Sequence, residues 1–396
     1  NGQLQSEGNW TDDKANGLWK SYHENGQLSI EGSFKEGLHN GIWKYYYENG
    51  QLEAKGNYKN GTLNGFSKFY YQNGQLKESS SFKDDKQDGR FKSYYEDGQL
   101  KELGNYKDGK ADGIWKYYYE NSQLETEGNY KDDKQVGLWK YYYENGQLQS
   151  KSIWEDDQLE GEFANYYKNG QLKEIGNYKN HKADGYFKYF HENGQLQSEG
   201  MWEDDKQNGL FKTYYENGQL KESGGFKDDK PHGEGKGYYE NGKLEFEGNM
   251  KDGKQDGFWK EYHENGQLQS EGIYKDNKPH GLWKYYYENG QLKTEGTYKD
   301  DKTDGLWKYY YENGQLKSEG NWKGEQPEGH FTYFYENGIL EAEGTWKDGV
   351  QNGLWATYYE NGQLKEKGHW EDGKGEGVWM SYYENGNLQD TGNWTD

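Results

Sequence analysis

Hydrophobic and polar positions recur along this chain with a period of 24 residues. Two positions never vary: leucine recurs from Leu4 to Leu388, and glycine recurs from Gly17 to Gly377. Asn-Gly dipeptides mark the same period in almost every copy, and no insertion or deletion interrupts it. A fixed period of this size is typical of repeat proteins, in which each unit packs on its neighbours. We therefore predict one continuous array of sixteen and a half repeats over residues 1–396, with no separate domain.

Each repeat holds two short runs of strand-forming residues. Tyr-Tyr-Tyr-Glu and Leu-Trp-Lys favour strands, and Asn-Gly between two such runs indicates a type I′ hairpin turn with positive φ at both residues. The Lys-Asp-Asp-Lys stretch indicates a second, longer turn, and glycine recurs too often for helices. The sequence thus predicts an all-β fold. We expect an elongated single-layer antiparallel β-meander of stacked hairpins, with two strands per 24-residue repeat.

A two-residue turn at Asn25-Gly26 would fix the register of the first hairpin. The predicted cross-strand pairs are His23 with Leu28, Tyr22 with Ser29, Lys20 with Glu31, Trp19 with Gly32, Leu18 with Ser33, and Gly17 with Phe34. Because side chains alternate along a strand, one face collects the aromatic and leucine positions. The other face collects the Lys–Glu pairs and is mostly polar.

The aromatic face is the candidate surface for packing and self-association. Its predicted members are Trp19, His23, Leu28, Phe34, Trp43, Tyr47, Trp115, Tyr119, Trp139, Tyr143, Trp283, Tyr287, Trp307 and Tyr311. A single-layer sheet leaves much of one face open unless it curls, and a large exposed apolar patch usually marks an interface. We expect most of this face to pack within the chain and the rest to pair with another chain.

Structural glycines are predicted at Gly17, Gly32, Gly281 and Gly305. A tryptophan opposite a glycine leaves room for the indole to lie over bare backbone. We expect Gly281→Val to disrupt its hairpin, because a bulky side chain would crowd the aromatic residue opposite and the turn.

The amino-acid composition argues against several classes of binding partner. Only 30% of the residues are hydrophobic and the net charge is −22, but 18% are aromatic, which argues against disorder. The acidic balance argues against nucleic acid, which needs a basic footprint, and against docking to anionic lipid. No apolar run approaches the roughly 18 residues of a membrane span, so we expect no membrane insertion. There is no cysteine, and therefore no disulfide.

The longer turn carries repeated aspartate pairs, such as Asp12-Asp13 and Asp300-Asp301. Clustered carboxylates can bind calcium, but aspartate also favours turns for its own backbone hydrogen bonds, and several copies read Asp-Gly instead. We therefore expect no cofactor, with calcium at these turns as the alternative. The histidines do not cluster with spacing that suits a metal site or a catalytic triad. We expect the chain not to be an enzyme.

The stretch YYENGQLKTEGTYKDDKTDGLWKYYYENG at 286–314, with close copies throughout, resembles the MORN repeat in its bacterial variant form. The shared features are the aromatic pair, the Asn-Gly turn, the leucine, the Glu-Gly pair and the Gly-Leu-Trp-Lys run. The resemblance implies stacked β-hairpins, no catalysis, and a scaffold that dimerises, tethers or positions other proteins. Lipid binding is often suggested for MORN proteins, and bacterial members are often labelled antitoxins.

These observations favour a non-enzymatic structural repeat protein of a bacterial surface or extracellular fibre, stalk or adhesive scaffold. Its partner would be another copy of itself or another protein. The chain begins and ends within a repeat, so we expect a segment of a longer protein. Two alternatives stay open. One is an intracellular, cytoplasmic MORN-type scaffold or immunity protein that binds a protein partner, and the other is a glycan-binding array.

Overall fold

The computed structural model describes residues 4–394. These residues contain 37 strands, all antiparallel, and no helix. Each strand pairs with the strands that flank it in sequence, which is a meander of hairpins. The fold class predicted from the sequence is confirmed. Within this part of the chain no helix is long and apolar enough to cross a membrane.

Two kinds of strand alternate along the chain, the leucine strands and the tryptophan strands. The leucine strands follow the Asn-Gly turns and are Ser6–Thr11, Leu28–Lys35, Leu52–Lys59, Leu76–Lys83, Leu100–Lys107, Leu124–Lys131, Leu148–Glu155, Leu172–Lys179, Leu196–Glu203, Leu220–Lys227, Leu244–Lys251, Leu268–Lys275, Leu292–Lys299, Leu316–Lys323, Leu340–Lys347, Leu364–Glu371 and Leu388–Trp394. They begin at the invariant leucine, apart from the first. Their hydrogen-bonded neighbours carry tryptophan at the position of Trp19 in nine of sixteen copies.

The tryptophan strands precede the Asn-Gly turns, and four of them are interrupted once. They are Lys14–Tyr22, Leu38–Tyr46, Thr62–Tyr70, Lys86–Tyr94, Lys110–Ala111 with Gly113–Tyr118, Lys134–Tyr142, Gln158–Tyr166, Lys182–Ala183 with Gly185–Phe190, Lys206–Gln207 with Gly209–Tyr214, Lys230–Tyr238, Lys254–Tyr262, Lys278–Tyr286, Lys302–Tyr310, Gln326–Phe334, Val350–Gln351 with Gly353–Tyr358, and Lys374–Tyr382.

The chain divides into two compact units, each built from these hairpins. The first unit comprises Asn1–Gln195 with Trp202–Asp205, and the second comprises Leu196–Met201 with Lys206–Asp396. One continuous array without separate domains stays a prediction.

The register in the middle of the hairpins matches the sequence analysis. Lys20 pairs with Glu31, Trp19 with Gly32, Leu18 with Ser33, and Gly17 with Phe34. Where Ala164 replaces the lysine, it faces Ile175, so a polar pair becomes an apolar one at a single site. The alternation of apolar and polar positions is therefore enough to fix the register away from the turns.

The Asn-Gly turn is not the predicted type I′ turn. The His23 N–H donates to the Gln27 carbonyl at 2.8 Å, and the Gly26 N–H donates to the His23 carbonyl at 2.9 Å. The loop therefore consists of the three residues that immediately precede Gln27. Of these only Gly26 has a positive φ, 81°. This is a type I turn closed by a glycine bulge. As a result Tyr22, and not His23, pairs with Leu28.

The two-residue turn with positive φ lies at the acidic stretch, where a longer loop was predicted. Asp84 and Asp85 have φ values of 47° and 65°, and Lys83 pairs with Lys86 across them. Aspartate, asparagine and glycine fill this turn because they tolerate the left-handed region better than other residues. Both assignments of turn type were wrong because Asn-Gly and Asp-Asp carry the same local signal.

The invariant glycine at Gly17 marks a bulge in the tryptophan strand. Gly8 pairs with Trp19, yet Trp10 pairs with Ala15, so extra residues of the tryptophan strand oppose the leucine strand. The glycines at this position have φ between 69° and 128°. A side chain added at Gly281 would meet nothing within 4 Å. This glycine is therefore required by its backbone conformation, and the crowding expected for Gly281→Val is not present.

Candidate interaction surfaces

Five of the six predicted indole rings of the aromatic face are buried inside the chain. Trp139 is 1% exposed and Trp283 is 2% exposed. Trp43, Trp115 and Trp307 are buried to a similar extent. The half-buried members of the predicted set are Trp19, His23, Leu28, Phe34, Tyr47, Tyr119, Tyr143, Tyr287 and Tyr311.

Each buried indole lies over a glycine of the leucine strand that precedes it. A Cβ added to Gly32 would overlap the ring of Trp43, and one added to Gly8 would overlap the ring of Trp19. The backbone pair of Trp19 and Gly32 forms as predicted. However, the indole above Gly32 comes from the following repeat and not from the hairpin partner. The glycine thus joins two repeats.

Aromatic rings of successive strands contact one another edge to face. Phe34 lies between Trp19 and Trp43, with ring centroids 5.8 and 4.8 Å away. In the second unit an unbroken column of such contacts runs through Trp259, Tyr274, Trp283, Tyr298 and Trp307. Each contact contributes about 0.5–1.5 kcal/mol beyond area burial. The column forms the core of the unit, so self-association through this face, which stays a prediction, would compete with it.

Some of the buried indole N–H groups donate hydrogen bonds within the chain, whereas those of Trp115, Trp259 and Trp379 have no hydrogen-bond partner among the described residues. The Nε1 of Trp43 donates to the Ser33 carbonyl at 3.2 Å, and the Nε1 of Trp283 donates to the Ile273 carbonyl at 3.1 Å. These acceptors lie beside the bulge in the neighbouring strand. The hydrogen bond fixes the ring over its glycine.

The third aromatic residue before each Asn-Gly turn forms a ladder between repeats. The Tyr47 hydroxyl donates to the Tyr70 carbonyl at 2.8 Å. The same bond joins residues 23 apart at twelve described tyrosines, including Tyr119, Tyr143, Tyr287 and Tyr311. At His23 the Nε2 lies 2.8 Å from the Tyr46 carbonyl and replaces the hydroxyl. Sequence reasoning took this position as an aromatic filler. The missed signal is that it is always tyrosine or histidine and never phenylalanine.

The opposite face carries a repeated Lys–Glu–Tyr cluster. Glu31 accepts hydrogen bonds from the Lys44 ammonium at 2.7 Å and from the Tyr46 hydroxyl at 2.8 Å. These two bonds hold the pKa of Glu31 below its usual value, with Lys44 the larger cause. Burial, followed by the bond to Glu31, raises the pKa of Tyr46 to about 12. Lys20 is in register with Glu31 as predicted, but the close ion pair is made by Lys44 of the next repeat.

Elsewhere the predicted hairpin partner does form the ion pair. The Lys–Glu distance is 3.0 Å for Lys116 with Glu127. It is 3.6 Å for Lys308 with Glu319. These side chains are partly exposed, so each pair contributes only about 0–1 kcal/mol.

An apolar stripe runs along this opposite face at the position of Leu18. Sequence analysis placed Leu18 among polar neighbours and did not recognise the stripe. It is named the exposed stripe, and its members are Leu18, Ile42, Phe66, Ile114, Leu138, Tyr186, Leu210, Phe258, Leu282, Leu306, Leu354 and Val378, between 41% and 64% exposed. The signal lay in the sequence: this position is apolar in twelve of sixteen copies, whereas its partner at Ser33 is mostly polar. The stripe is accessible to a partner without any change in the fold.

Basic and acidic residues are distributed unevenly between the opposite face of the sheet and the turns at its edges. The seven repeat positions of the opposite face, those of Glu7, Asn9, Thr11, Lys14, Asn16, Leu18 and Lys20, hold 39 Lys and Arg and 22 Asp and Glu over the chain. Their net charge is +17, whereas all the other positions together hold 9 cations and 48 acids. The acidic total thus comes mainly from the two rows of turns. A partner that meets the opposite face meets a basic surface.

The acidic turns use their carboxylates within the chain. The Ala111 N–H donates to Asp133 Oδ1 at 2.6 Å, and the Asp133 N–H donates back to the Ala111 carbonyl at 3.0 Å. The first aspartate of a turn contacts a lysine of the preceding repeat, as in Lys254 with Asp276 at 3.1 Å. Over residues 4–394, no three His, Asp or Glu side chains are grouped so as to hold a metal ion. The absence of a cofactor stays a prediction.

Repeated hairpins of constant length, joined by recurring hydrogen bonds, define a β-hairpin repeat scaffold. The family model described as MORN repeat variant matches sixteen consecutive segments: 15–36, 40–60, 63–84, 87–108, 111–132, 135–156, 159–180, 183–204, 207–228, 231–252, 255–276, 279–300, 303–323, 327–348, 351–372 and 375–396. The chain belongs to the MORN repeat variant family, as its sequence motifs indicated. None of the curated proteins matches it.

Solved structures with some likeness to this chain are toxin complexes. One, described as TcdB2-TccC3-Cdc42, has 13% identity and a TM-score of 0.16, with 96% of this chain and 23% of that chain covered. Another, the Tc holotoxin pore of Photorhabdus luminescens, has 11% identity and a TM-score of 0.15, with 94% and 24% covered. The chain thus spans about a quarter of the length of these structures. Similarity this low carries no argument about function.

Proposed function

We propose that this chain is a non-enzymatic structural repeat protein that serves as a scaffold in a bacterial surface or extracellular fibre. The proposal depends on one observation, the identical bonding between successive repeats. Tyr287 donates to the Tyr310 carbonyl at 2.8 Å, and Asn289 Nδ2 donates to the Glu312 carbonyl at 2.9 Å. The same two bonds recur along both units. They hold each hairpin at a constant distance from the next, which is what a stalk or fibre requires.

The absence of catalysis is part of the proposal. The groups with shifted pKa values are mainly tyrosines, whose pKa is raised by burial, and carboxylates such as Glu31 that serve as hydrogen-bond acceptors between repeats. A perturbed group marks an active site only when it lies in a cleft beside a chemical partner. Here the perturbed groups repeat along the sheet, as a structural network would.

Electron microscopy of the protein as isolated from its source, before any denaturing step, tests this function. Fibres of regular width that label with an antibody to the chain are expected. Short separate monomers at high protein concentration would overturn the fibre. Surface labelling of intact cells tests the location, and a purely cytoplasmic signal would overturn it in favour of an intracellular scaffold.

Glycan binding is a second candidate, supported by one concavity in the first unit. Trp154, Phe163 and Tyr178 supply aromatic rings to its lining, and Ser150 and Asn165 supply polar groups. Aromatic faces beside a few placed polar groups suit sugar rings. A glycan array probed with the wild-type chain and with Trp154→Ala tests this candidate, with Trp322→Ala as the control at the same repeat position. Loss of a signal in the first variant alone would support it, and no signal from the wild type would overturn it.

A further inference from the structure

One part of the exposed stripe is free of polar interruptions over three successive repeats of the second unit. Phe258, Leu282 and Leu306 are 48%, 53% and 47% exposed. Ile273, which pairs with Phe258 across the hairpin, is 45% exposed and widens the patch. Four apolar side chains within five successive strands, about half open to solvent, form a larger apolar patch than isolated surface residues do.

Rows that contain lysines flank this patch on both sides, and one of them also contains Asp256 and Asp304, the latter directly opposite Lys323. On one side Lys275 lies directly opposite Lys278, and Lys299 lies directly opposite Lys302. Like charges at such positions destabilise a sheet, although Lys254, the larger cause, and Lys275 both lower the pKa of the nearby Asp276 carboxylate. On the other side are the lysines of the Lys–Glu–Tyr clusters, Lys260, Lys284 and Lys308.

The nearby carboxylates are already paired in part. Glu319 lies 3.6 Å from Lys308, and Glu271 accepts the Tyr286 hydroxyl at 2.8 Å. Between Lys254 and Lys323 the seven positions of this face hold nine lysines and five acids, a net charge of +4 within a chain of −22. The row of Phe258, Leu282 and Leu306 is called the seam. It is apolar, and the face of the sheet around it carries a net positive charge.

The spacing of the seam suits a helix. Its residues recur on every second strand, and strands in a sheet lie about 4.8 Å apart, so neighbours along the seam are separated by roughly 9.6 Å. In an α-helix, residues seven apart are separated by about 10.5 Å along the axis. Three seam residues can thus meet three successive heptads of a helix laid across the strands.

We propose that the seam of Phe258, Leu282 and Leu306 docks an acidic amphipathic α-helix of a protein partner, with one apolar residue per heptad on the seam and carboxylates beside the lysine rows. A second copy meeting face to face would oppose two basic surfaces. Nucleic acid would not use an apolar seam. An anionic bilayer has no period that matches the spacing of the seam. This docking adds a partner to the proposed scaffold and does not depend on fibre formation.

The test uses the full chain and a synthetic three-heptad peptide with one leucine per heptad and glutamates flanking it. Fluorescence anisotropy of the labelled peptide should show saturable binding that weakens with salt. Leu282→Gln combined with Leu306→Gln should weaken binding at least tenfold, because the apolar seam is interrupted. Leu210→Gln combined with Leu354→Gln is the matched control, since both stand at the same repeat position but outside the seam, and it should bind as the wild type does.

Lys275→Gln combined with Lys299→Gln should reduce the salt dependence of peptide binding. A peptide with lysine in place of the glutamates should not bind. Absence of binding at peptide concentrations up to about 1 mM, which corresponds to a binding free energy weaker than roughly −4 kcal/mol, would overturn the proposal. Equal binding by the two leucine double variants would also overturn it. Binding of duplex DNA or phosphatidylserine vesicles that is lost in Leu282→Gln with Leu306→Gln would assign the seam to that ligand instead and overturn the helical partner.

Discussion

Two glycine positions of the repeat, one invariant and one replaced only at Ser80 and Ser152, are needed for different physical reasons. Gly272 lies beneath the indole of Trp283, and a Cβ there would overlap the ring. Gly281 has open space around it but a φ of 71°, in the region that residues with a side chain avoid. One glycine makes room for the core and the other makes the bulge. Sequence alone marks both as invariant or nearly so and does not separate them.

Gly272→Ala and Gly281→Ala should therefore both destabilise the second unit, but with different signatures. The first forces the Trp283 ring to move, at about 1–3 kcal/mol, and should change the near-ultraviolet circular dichroism of the tryptophans. The second places alanine at positive φ, at about 1–2 kcal/mol, and should leave that signal unchanged. Gly281→Asn should cost less than Gly281→Val, because asparagine tolerates the left-handed region. Equal costs for asparagine and valine would contradict a backbone role for Gly281.

The tyrosine ladder gives a second residue-level prediction. Tyr287→Phe removes the hydroxyl that bonds to the Tyr310 carbonyl and keeps the ring. We expect a loss of about 0.5–1.5 kcal/mol, seen as faster amide hydrogen exchange in the hairpin that follows. Tyr287→His should restore protection, since His263 reaches the equivalent carbonyl of Tyr286 at 3.2 Å. If phenylalanine proves as protective as tyrosine, the hydroxyl plays no part in joining the repeats.

At the scale of the element, the two turns of a hairpin differ in length and in bonding. The acidic turn reverses the chain in two residues and bonds to a residue 22 positions earlier, as Asp133 does to Ala111. The Asn-Gly turn bonds to a residue 23 positions later. Asn73 Oδ1 accepts the Gln75 N–H at 2.9 Å, and its Nδ2 donates to the Glu96 carbonyl at 3.0 Å. This double use explains why asparagine is retained although only its glycine neighbour has a positive φ.

Asp97 tests this account, because it is the one place where aspartate replaces the asparagine of the Asn-Gly turn. Its carboxylate accepts the Gln99 N–H at 2.9 Å but has no proton to donate to the next turn. Asp97→Asn should add one hydrogen bond between turns and stabilise the first unit by about 0.5–1.5 kcal/mol, measured by the urea midpoint. Asn121→Asp is the matched control and should destabilise by a similar amount. A neutral result for both would show that the bond between turns contributes nothing.

The sequence was sufficient for strands and for the register in the middle of each hairpin. Alternation places Trp19 opposite Gly32 and Lys20 opposite Glu31, and a shift by one residue would expose every indole. It was not sufficient for the turn types, because Asn-Gly and Asp-Asp both tolerate positive φ and only loop length separates them. The sequence also did not show which indole covers Gly32, because the strand towards which the ring points depends on the bulge at the invariant glycine. The exposed stripe was missed because Leu18 was grouped with the polar pairs of the opposite face.

At the scale of the molecule, stability comes from contacts repeated along each unit, and many of them involve tyrosine. Burial, followed by hydrogen bonds to Glu271 and Glu295, raises the pKa values of Tyr286 and Tyr310 from 10.0 to about 12. A pKa raised in the folded state favours the folded chain only while the group keeps its proton. The same environment recurs at Tyr46, Tyr142 and Tyr262.

The chain should therefore lose stability in alkali. The contribution of these tyrosines is fully present below the unfolded pKa of 10.0 and is lost as the pH rises towards 12. The urea midpoint should fall steeply across this range, in step with the phenolate absorbance. Most of the absorbance should appear only as the chain unfolds. A midpoint that stays constant while the phenolate signal grows would mean that the tyrosines ionise freely and lie outside the core.

The central claim is that the aromatic face is closed within each unit and that the exposed stripe is the open surface. Hydroxyl-radical footprinting of the full chain, read residue by residue by mass spectrometry, tests it most directly. We predict slow oxidation of Trp139, Trp283 and Trp307, and fast oxidation of Trp10 and Leu282, which are 64% and 53% exposed. The account would be contradicted if the indoles in the middle of the chain oxidised as fast as Trp10 and Leu282 were protected. In that case the aromatic face would be the surface open to partners.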